Sequence, residues 1–242
     1  MSNFYHDRFF SLADQNIQQP EQRSPEWFEA RKGKITGSKL SPLLFCDNPD
    51  DRIRIYEELF EGRRKAPFPE TAKKFMLWGQ EHEDIAMESL LNHMPNIVAM
   101  EAPMMHHTEC NYLAASPDGF YEETDTGENG IVEIKCPGKR KKANVKVTYY
   151  YVPQMYLEMA CSGKTSAMFV SWGLDCTRAW KLRWRDEMWQ ALCYMIDVFR
   201  RTKKDATWED FVMAKYKLKK QCQLCVEEAE ILCSSKGWST EK

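Results

Sequence analysis

The sequence predicts an α/β (α+β) fold, in which one central mixed β-sheet is flanked by helices and further helices lie at the N- and C-terminal ends. Three observations predict it. Residues 70–93 contain few helix breakers and carry apolar side chains at near-helical spacing. Residues 131–136 alternate apolar and polar side chains after a turn signal over 125–130. Along the chain, the order is helices, strands, helix, strands, helices.

The individual elements follow from capping residues, breakers and periodicity. Ser24-Pro25-Glu26 combines an N-cap residue, a first-turn proline and an acid, which is typical of a helix start. Gly79 is a point where the long helix could break. Helices are expected over 25–33, 36–45, 51–60, 70–93, 152–161, 186–201 and 208–233. Strands are expected over 97–105, 112–116, 131–136, 166–172 and 177–184.

The 242-residue length fits one domain with additions. We divide it into an arm (1–23), a core (24–185) and a C-terminal helical extension (186–242) packed on the same domain. The sequence has neither an apolar run of roughly 20 residues, as a membrane span needs, nor a secretory signal. We therefore expect an intracellular protein, in the cytoplasm or nucleus of a host cell, with its nine cysteines reduced. The net charge of -2 does not by itself indicate a nucleic-acid partner.

One pair of segments carries the chemistry. Strand alternation places Glu133 and Lys135 on the same face, and the hairpin turn brings the strand ending in Asp118 beside them. Two carboxylates, with the backbone carbonyl of Ile134 nearby, are ligands that suit Mg²⁺. A bound metal activates water and offsets charge on phosphate, and Lys135 can stabilise developing negative charge. The pattern predicts a metal-dependent nuclease site.

Each half of this pattern has an ordinary alternative. An Asp-Gly pair such as Asp118-Gly119 is usually a turn, and a Glu-x-Lys strand is usually a solvated salt-bridge face. The linked pattern is much less common by chance, although it occurs in many unrelated chains.

Five ordered motifs make the prediction more specific. The motifs are W-F-E-A-R with G-x-I-T-G-S (27–38), W-G-Q-E-H-E (78–83), S-P-D-G (116–119), V-E-I-K-C-P (132–137) and Y-V-P-Q-M-Y (151–156). They resemble the motifs of the phage lambda-type exonucleases, the YqaJ-like viral recombinase family of the PD-(D/E)XK nuclease superfamily. The resemblance runs from about residue 24 to 172 and implies a restriction-endonuclease-like core.

The resemblance also implies roles for individual residues. The implied catalytic residues are Asp118, Glu133, Lys135, Glu83 and Gln154, with metal held by Asp118, Glu133 and the Ile134 carbonyl. The residues implied to hold a 5′-terminal phosphate are Arg31, Ser38 and Ser116. Alternatives stay open for three of these residues: Glu83 as an ordinary exposed helix acid, Gln154 as a partly buried polar residue, and Arg31 as a surface arginine.

The implied activity is digestion of linear double-stranded DNA from 5′ ends, which leaves 3′ single-stranded tails for recombination or repair by annealing. Mg²⁺ is the implied cofactor, and Mn²⁺ could substitute. The implied partners are DNA ends and a single-strand annealing protein. The protein could act as a ring-shaped homotrimer or as a monomer, and no membrane partner is expected.

Basic residues follow the predicted catalytic strand directly. We expect Lys139, Arg140, Lys141 and Lys142 to contact DNA phosphates. A solvated loop or a nuclear localisation signal is the alternative. A second basic cluster, residues 215–220, is interpreted as a solvated helix face.

Three rival functions remain. The first is a DNA- or RNA-cutting endonuclease of the same superfamily. The second is an iron–sulfur-containing single-strand exonuclease, with Cys46, Cys222, Cys225 and Cys233 as ligands. We favour apolar packing for these cysteines, because free cysteine behaves as a small hydrophobic residue. The third is a DNA-binding module with a dead site, against which the intact carboxylate pair and lysine argue.

Overall fold

The computed structural model describes residues 7–15, 19–20, 23–64, 66–139 and 141–236. In this part of the chain a seven-stranded mixed sheet is flanked by helices, and a three-stranded sheet lies beside it. The predicted fold class is therefore confirmed.

The helices and strands lie close to most of their expected positions. The helices are α1 (Pro25–Ala30), α2 (Gly37–Leu44), α3 (Pro49–Phe60), α4 (Glu70–His93), α5 (Val152–Ser162), α6 (Asp186–Arg200) and α7 (Trp208–Glu227), with a 3-10 turn at Tyr149–Tyr151. The strands are β1 (Phe9–Phe10), β2 (Ile35–Thr36), β3 (Ile97–Met100), β4 (Met105–His106), β5 (Leu113–Ala115), β6 (Gly119–Glu123), β7 (Asn129–Lys135), β8 (Ser166–Trp172), β9 (Cys176–Arg183) and β10 (Glu230–Lys236).

The large sheet has the order β1-β3-β6-β7-β8-β9-β10. Strand β7 lies at its centre, antiparallel to β6 and parallel to β8. Helices cover both faces of this centre, so β7 and β8 are buried nearly throughout. A polar side chain on β7 therefore sits in protein surroundings, which is unusual without a function or a partner.

Two cores lie on opposite faces of the large sheet. The first core joins α2, α3, α5, α6 and α7 to side chains such as Ile131 and Phe169. The second joins α4 to the alternate side chains, such as Val132 and Met168. Helix α4 runs through Gly79 without a break and buries its second half, from Ala86 onward, against this face.

The small sheet has the order β2-β5-β4. Strands β2 and β5 are parallel, with Thr36 opposite Ala114. Parallel strands end at the same edge, so the residues that follow them, Ser38 and Ser116, lie at one end of this sheet.

Both ends of the described chain differ from the prediction. In the expected arm, β1 pairs in parallel with β3, and the Arg8 guanidinium donates to the carbonyls of Met94 and Ile97 at 2.9 Å. At the other end, helix α7 stops at Glu227, and β10 pairs with β9. The expected helix over 208–233 was wrong, because its last residues satisfy their backbone groups on the open edge of β9 instead.

This correction separates the cysteines of the rival iron–sulfur hypothesis. Cys46, Cys222 and Cys225 pack in the first core, whereas Cys233 lies on β10 and packs against the second core. None of the described helices is long and apolar enough to cross a bilayer.

Candidate active site

The predicted carboxylates meet at one end of the β6–β7 hairpin. The sequence placed Asp118 at the end of the strand that pairs with β7. In the structure, Asp118 instead comes just before β6, and β6 is the strand that pairs with β7. The Asp118 N–H donates to the carbonyl of Val132 at 3.1 Å, and the Ile134 N–H donates to Asp118 Oδ2 at 2.6 Å. These two bonds fix the Asp118 carboxylate beside β7.

Glu133 is the buried centre of the site, with 1% of its surface exposed. Its Oε1 accepts hydrogen bonds from Lys135 Nζ and, at 2.5 Å, from Gln154 Nε2. The strand alternation that predicted a shared face for Glu133 and Lys135 is confirmed. Gln154, on α5, reaches the same carboxylate across the layer between helix and sheet.

A further carboxylate, that of Glu158, completes the cluster, and no motif in the sequence indicated a role for it. Gln154 Nε2 also donates to Glu158 Oε1 at 2.9 Å, so one amide joins two buried carboxyls. The spacing of Gln154 and Glu158, one helical turn on α5, was the signal that could have revealed it. Gly37 makes room for this arrangement, since a Cβ at that position would lie 2.5 Å from Gln154 Cγ.

Burial dominates the electrostatics of the cluster. It raises the pKa of Asp118 and of Glu158 well above the usual value, and the charge of Glu133 adds to both shifts. Burial also raises the pKa of Glu133, which Lys135 partly offsets. Burial alone would lower the pKa of Lys135, but attraction to Glu133 and Asp118 outweighs it and raises that pKa. Lys135 thus holds its proton more firmly than a free lysine, and each of the three carboxyls is more easily protonated than a free one.

We expect Glu158→Gln to stabilise the metal-free protein more at pH 8 than at pH 5. A carboxyl whose folded pKa is raised costs little below its unfolded pKa. It increasingly destabilises the folded state as the pH rises toward the folded pKa. A glutamine keeps the acceptor for Gln154 without this cost. The measurement is urea unfolding in EDTA at both pH values, with the exposed Glu88→Gln as control. If Glu158→Gln changed the free energy of unfolding by the same amount at both pH values, a raised pKa of Glu158 in the folded protein would be contradicted.

The cluster suits a hard divalent cation. Among the described residues, no three His, Cys, Asp or Glu side chains converge closely enough to cage a metal by themselves. Mg²⁺ does not need such a cage, because it usually binds one or two carboxylates and completes its shell with water and phosphate. Glu133 Oε2 is buried without a hydrogen-bond partner in the described chain, and Asp118 is near enough for the two carboxylate charges to interact. An unpartnered buried carboxylate oxygen is what a cation would satisfy.

The predicted phosphate-binding residues lie around the start of α2. Arg31 Nη2 donates to Thr36 Oγ1 at 3.1 Å and lies 3.5 Å from Ser38 Oγ, with the guanidinium stacked 3.9 Å from the Trp27 ring centroid. Burial lowers the pKa of Arg31 to about 10, against the attraction of Glu158. Thr36, the N-cap residue, makes no side-chain bond to the helix, which leaves N–H groups at the α2 start for an anion.

Ser116 links this pocket to the carboxylates, since it stands two residues before Asp118. Its Oγ is buried and has no hydrogen-bond partner in the described part of the chain. The small sheet, which brings the ends of β2 and β5 to one edge, thus places Ser116 beside the pocket that contains Arg31 and Ser38.

Glu83 lies on α4 at the edge of the cluster. Its carboxylate accepts from Arg23 Nη2 at 2.6 Å, and its charge contributes to raising the pKa of Asp118 and of Glu133. Glu83 is therefore close enough to act with them, although its direct partner is an arginine. The alternative of an ordinary exposed acid is not favoured by this position.

The basic loop after β7 is held against α4. Lys141 Nζ lies 4.2 Å from the Trp78 ring centroid, and the Leu174 N–H donates to the Lys141 carbonyl at 2.8 Å. Lys139 and Lys142 are exposed. Arg140 lies outside the described residues. The described lysines are thus available to an anionic ligand next to the carboxylate cluster.

Two solved structures have a similar fold. One is an alkaline exonuclease, LHK-Exo, from Laribacter hongkongensis, at 21% identity and a TM-score of 0.55. The other is LHK-Exo in complex with dAMP, at 22% identity and a TM-score of 0.52. Each comparison covers 83% of this chain and 100% of the solved chain. At this level of identity the likeness concerns the fold.

Sequence comparisons give the family. Uncharacterized protein R354 of Acanthamoeba polyphaga mimivirus is 26% identical over 177 residues, which are 68% of this chain and 31% of that protein. This chain thus spans about a third of the length of that curated relative. The family profile described as YqaJ-like viral recombinase domain matches residues 26–165, more than half of the chain. The chain belongs to the YqaJ-like viral recombinase domain family.

Proposed function

We propose that this chain is a Mg²⁺-dependent DNA exonuclease that digests linear duplex DNA from 5′ ends and leaves 3′ single-stranded tails. One observation carries the proposal. Asp118 and the buried Glu133, whose Oε2 lacks a described partner, lie together with the charged Lys135 in a domain of this family. The alkaline exonuclease activity named for LHK-Exo supports the same reaction class.

The proposed roles follow from the contacts. Asp118, Glu133 and the Ile134 carbonyl would hold Mg²⁺, for which Mn²⁺ could substitute. When bound, this cation would supply an activated water and offset charge on the phosphate. Gln154 holds the Glu133 carboxylate in place. Lys135 lies close enough to that carboxylate to stabilise negative charge on a phosphate placed there.

The pocket around Arg31 supports dependence on a DNA end. A guanidinium, two hydroxyls and helix N–H groups suit a terminal phosphate, which carries more negative charge than an internal one. Ser116 connects this pocket to Asp118 over two residues, so a terminal phosphate and the next phosphodiester could be held together. This connection supports cleavage beginning at a 5′ end.

The partners are proposed on the same basis. Lys139, Lys141 and Lys142 would contact duplex phosphates beside the cut, and such contacts are independent of sequence and sensitive to salt. The family resemblance supports a single-strand annealing protein as the functional partner, and either a ring-shaped trimer or a monomer as the active form.

The experiment that tests the proposed function compares linear duplex with covalently closed circular duplex in Mg²⁺. An exonuclease degrades the linear DNA and leaves the circle intact. Label at the 5′ end should be released first, while label at the 3′ end remains in long products. Cleavage of the closed circle would instead indicate an endonuclease of the same superfamily, and early release of 3′ label would overturn the proposed polarity.

We expect Arg31→Gln to remove the preference for a 5′ phosphate. The variant loses a charge-assisted contact of about 1.5–3 kcal/mol, so the ratio of initial rates on 5′-phosphorylated and 5′-hydroxyl duplex should fall at least about tenfold. The control is Arg54→Gln on α3, which removes an arginine bound to Asp51 and Glu58. An unchanged ratio in Arg31→Gln would rule out this pocket.

A further inference from the structure

A group of four aromatic side chains lies next to Lys135. It consists of Tyr151, Tyr150, Phe45 and Tyr149, which we call the aromatic track. Ring centroids are 4.4 Å apart for Tyr151 and Tyr150, while Tyr150, Phe45 and Tyr149 form a triangle with separations of 5.6, 6.4 and 5.9 Å. The track therefore forms a continuous aromatic surface that begins beside the proposed catalytic residues.

Lysines lie at both ends of the aromatic track. Lys135 Nζ is 5.2 Å from the Tyr151 ring centroid, and Lys219 Nζ, on α7, is 5.4 Å from that of Tyr149. The neighbouring acid, Asp47, is paired with Lys215 Nζ at 2.8 Å. The track thus combines aromatic faces with positive charge at each end, and the nearby carboxylate is already neutralised by a lysine.

Phe45 is the most exposed ring of the track, whereas the three tyrosines are half-buried and pack against the first core. Phe45 follows the end of α2 and is 52% exposed. The 3-10 turn that carries the three tyrosines is held in place, since Ser41 Oγ donates to the Tyr150 carbonyl at 2.8 Å. Because Phe45 contributes little to the core and lies against the rings of this turn, its ring is available to a ligand.

We infer that the aromatic track binds an unpaired DNA strand, whose bases stack on Phe45 and Tyr149 while Lys219 contacts its phosphates. Proteins that bind single strands without sequence preference combine aromatic stacking with positive charge in this way. The inference rests on the proposed function, because the track would guide the strand that enters or leaves the site at Lys135. It gives Lys219 a ligand, whereas the sequence alone suggested a solvated helix face.

Binding of fluorescently labelled oligothymidylate to the full chain tests the inference. Measured by anisotropy in EDTA at low salt, Phe45→Ala and Lys219→Ala should each weaken binding by about five- to tenfold. Phe45→Leu keeps apolar bulk and should also weaken it, which separates stacking from packing. Binding to a blunt duplex hairpin should change less.

Another tyrosine–lysine pair, with Tyr194 on α6 and Lys217 on α7, provides the matched control. Lys217 Nζ lies 5.0 Å from the Tyr194 ring centroid. Positions 217 and 219 point to different sides of the helix. Tyr194→Ala and Lys217→Ala should therefore leave oligothymidylate binding unchanged. Equal losses in the control variants, or unchanged binding in Phe45→Ala, Phe45→Leu and Lys219→Ala, would overturn the inference.

The assay distinguishes failure of the track from failure of the proposed function, because binding is measured without metal. A chain that cleaves no DNA in Mg²⁺ but loses oligothymidylate binding with Phe45→Ala supports the track and refutes the nuclease. A chain that cleaves DNA but binds oligothymidylate equally well in all track variants refutes the track alone.

Discussion

Replacement of Glu133 by Gln is expected to reduce Mg²⁺-dependent digestion of linear duplex by about a thousandfold, or about 4 kcal/mol of transition-state stabilisation. The substitution keeps the shape and an acceptor for Gln154 and Lys135, but it removes the negative charge that would hold the cation. Since Glu133 is buried, water has little access to take over the role of its carboxylate. Asp118→Asn should have an effect of similar size. Initial rates of nucleotide release provide the measurement.

A second glutamate–lysine pair of the same sheet supplies the control. Glu123 on β6 accepts from Lys181 Nζ at 2.5 Å and is also buried. Glu123→Gln should lower the free energy of unfolding and leave the rate per folded molecule unchanged. If Glu133→Gln retained wild-type activity, or if Glu123→Gln lost as much activity, the assignment of the metal site would fail.

Lys135→Met is expected to slow digestion by about a hundredfold or more, while the protein still binds Mg²⁺. Lys135 is paired with Glu133, so its removal eliminates a positive charge that competes with the cation for the Glu133 and Asp118 carboxylates. The increase in Tm on addition of Mg²⁺ should therefore persist or grow in Lys135→Met. It should be lost in Glu133→Gln, because that variant lacks a metal ligand.

This contrast separates a catalytic lysine from a structural one. A structural role predicts that Lys135→Met loses activity only as far as it loses folded protein. The proposed role predicts a lower kcat with a normal thermal transition in Mg²⁺. A variant that regained wild-type kcat once folded would contradict the role assigned to Lys135.

Local patterns were sufficient to predict that Asp118, Glu133 and Lys135 come together. The alternation over 131–136 placed Glu133 and Lys135 on one face, and the turn at 125–130 brought Asp118 to them, because both relations depend on residues close in sequence. The long periodic helix α4 was predicted within its observed bounds for the same reason.

Relations between distant segments could not be predicted. The role of Glu158 depends on α5 packing against β7, and the edge strand β10 depends on an open edge of β9. The strand that pairs with β7 was expected to end at Asp118, whereas in the structure it begins at Gly119. The difference arises because the chain from Ser116 to Asp118 passes from the small sheet, which contains β5, to the large sheet, which contains β6. Apart from the one-turn spacing of Gln154 and Glu158, these contacts have no periodic signal in the sequence.

Metal dependence is tested most directly by the rate of nucleotide release from end-labelled linear duplex, measured in Mg²⁺ and again after EDTA. We expect digestion in Mg²⁺, loss of digestion in EDTA and recovery when Mg²⁺ is restored. Asp118→Asn, purified identically, should digest the duplex about a thousandfold more slowly in Mg²⁺. Digestion by wild type that continues in EDTA, or equal digestion by Asp118→Asn, would contradict a metal-dependent site at Asp118, Glu133 and Lys135.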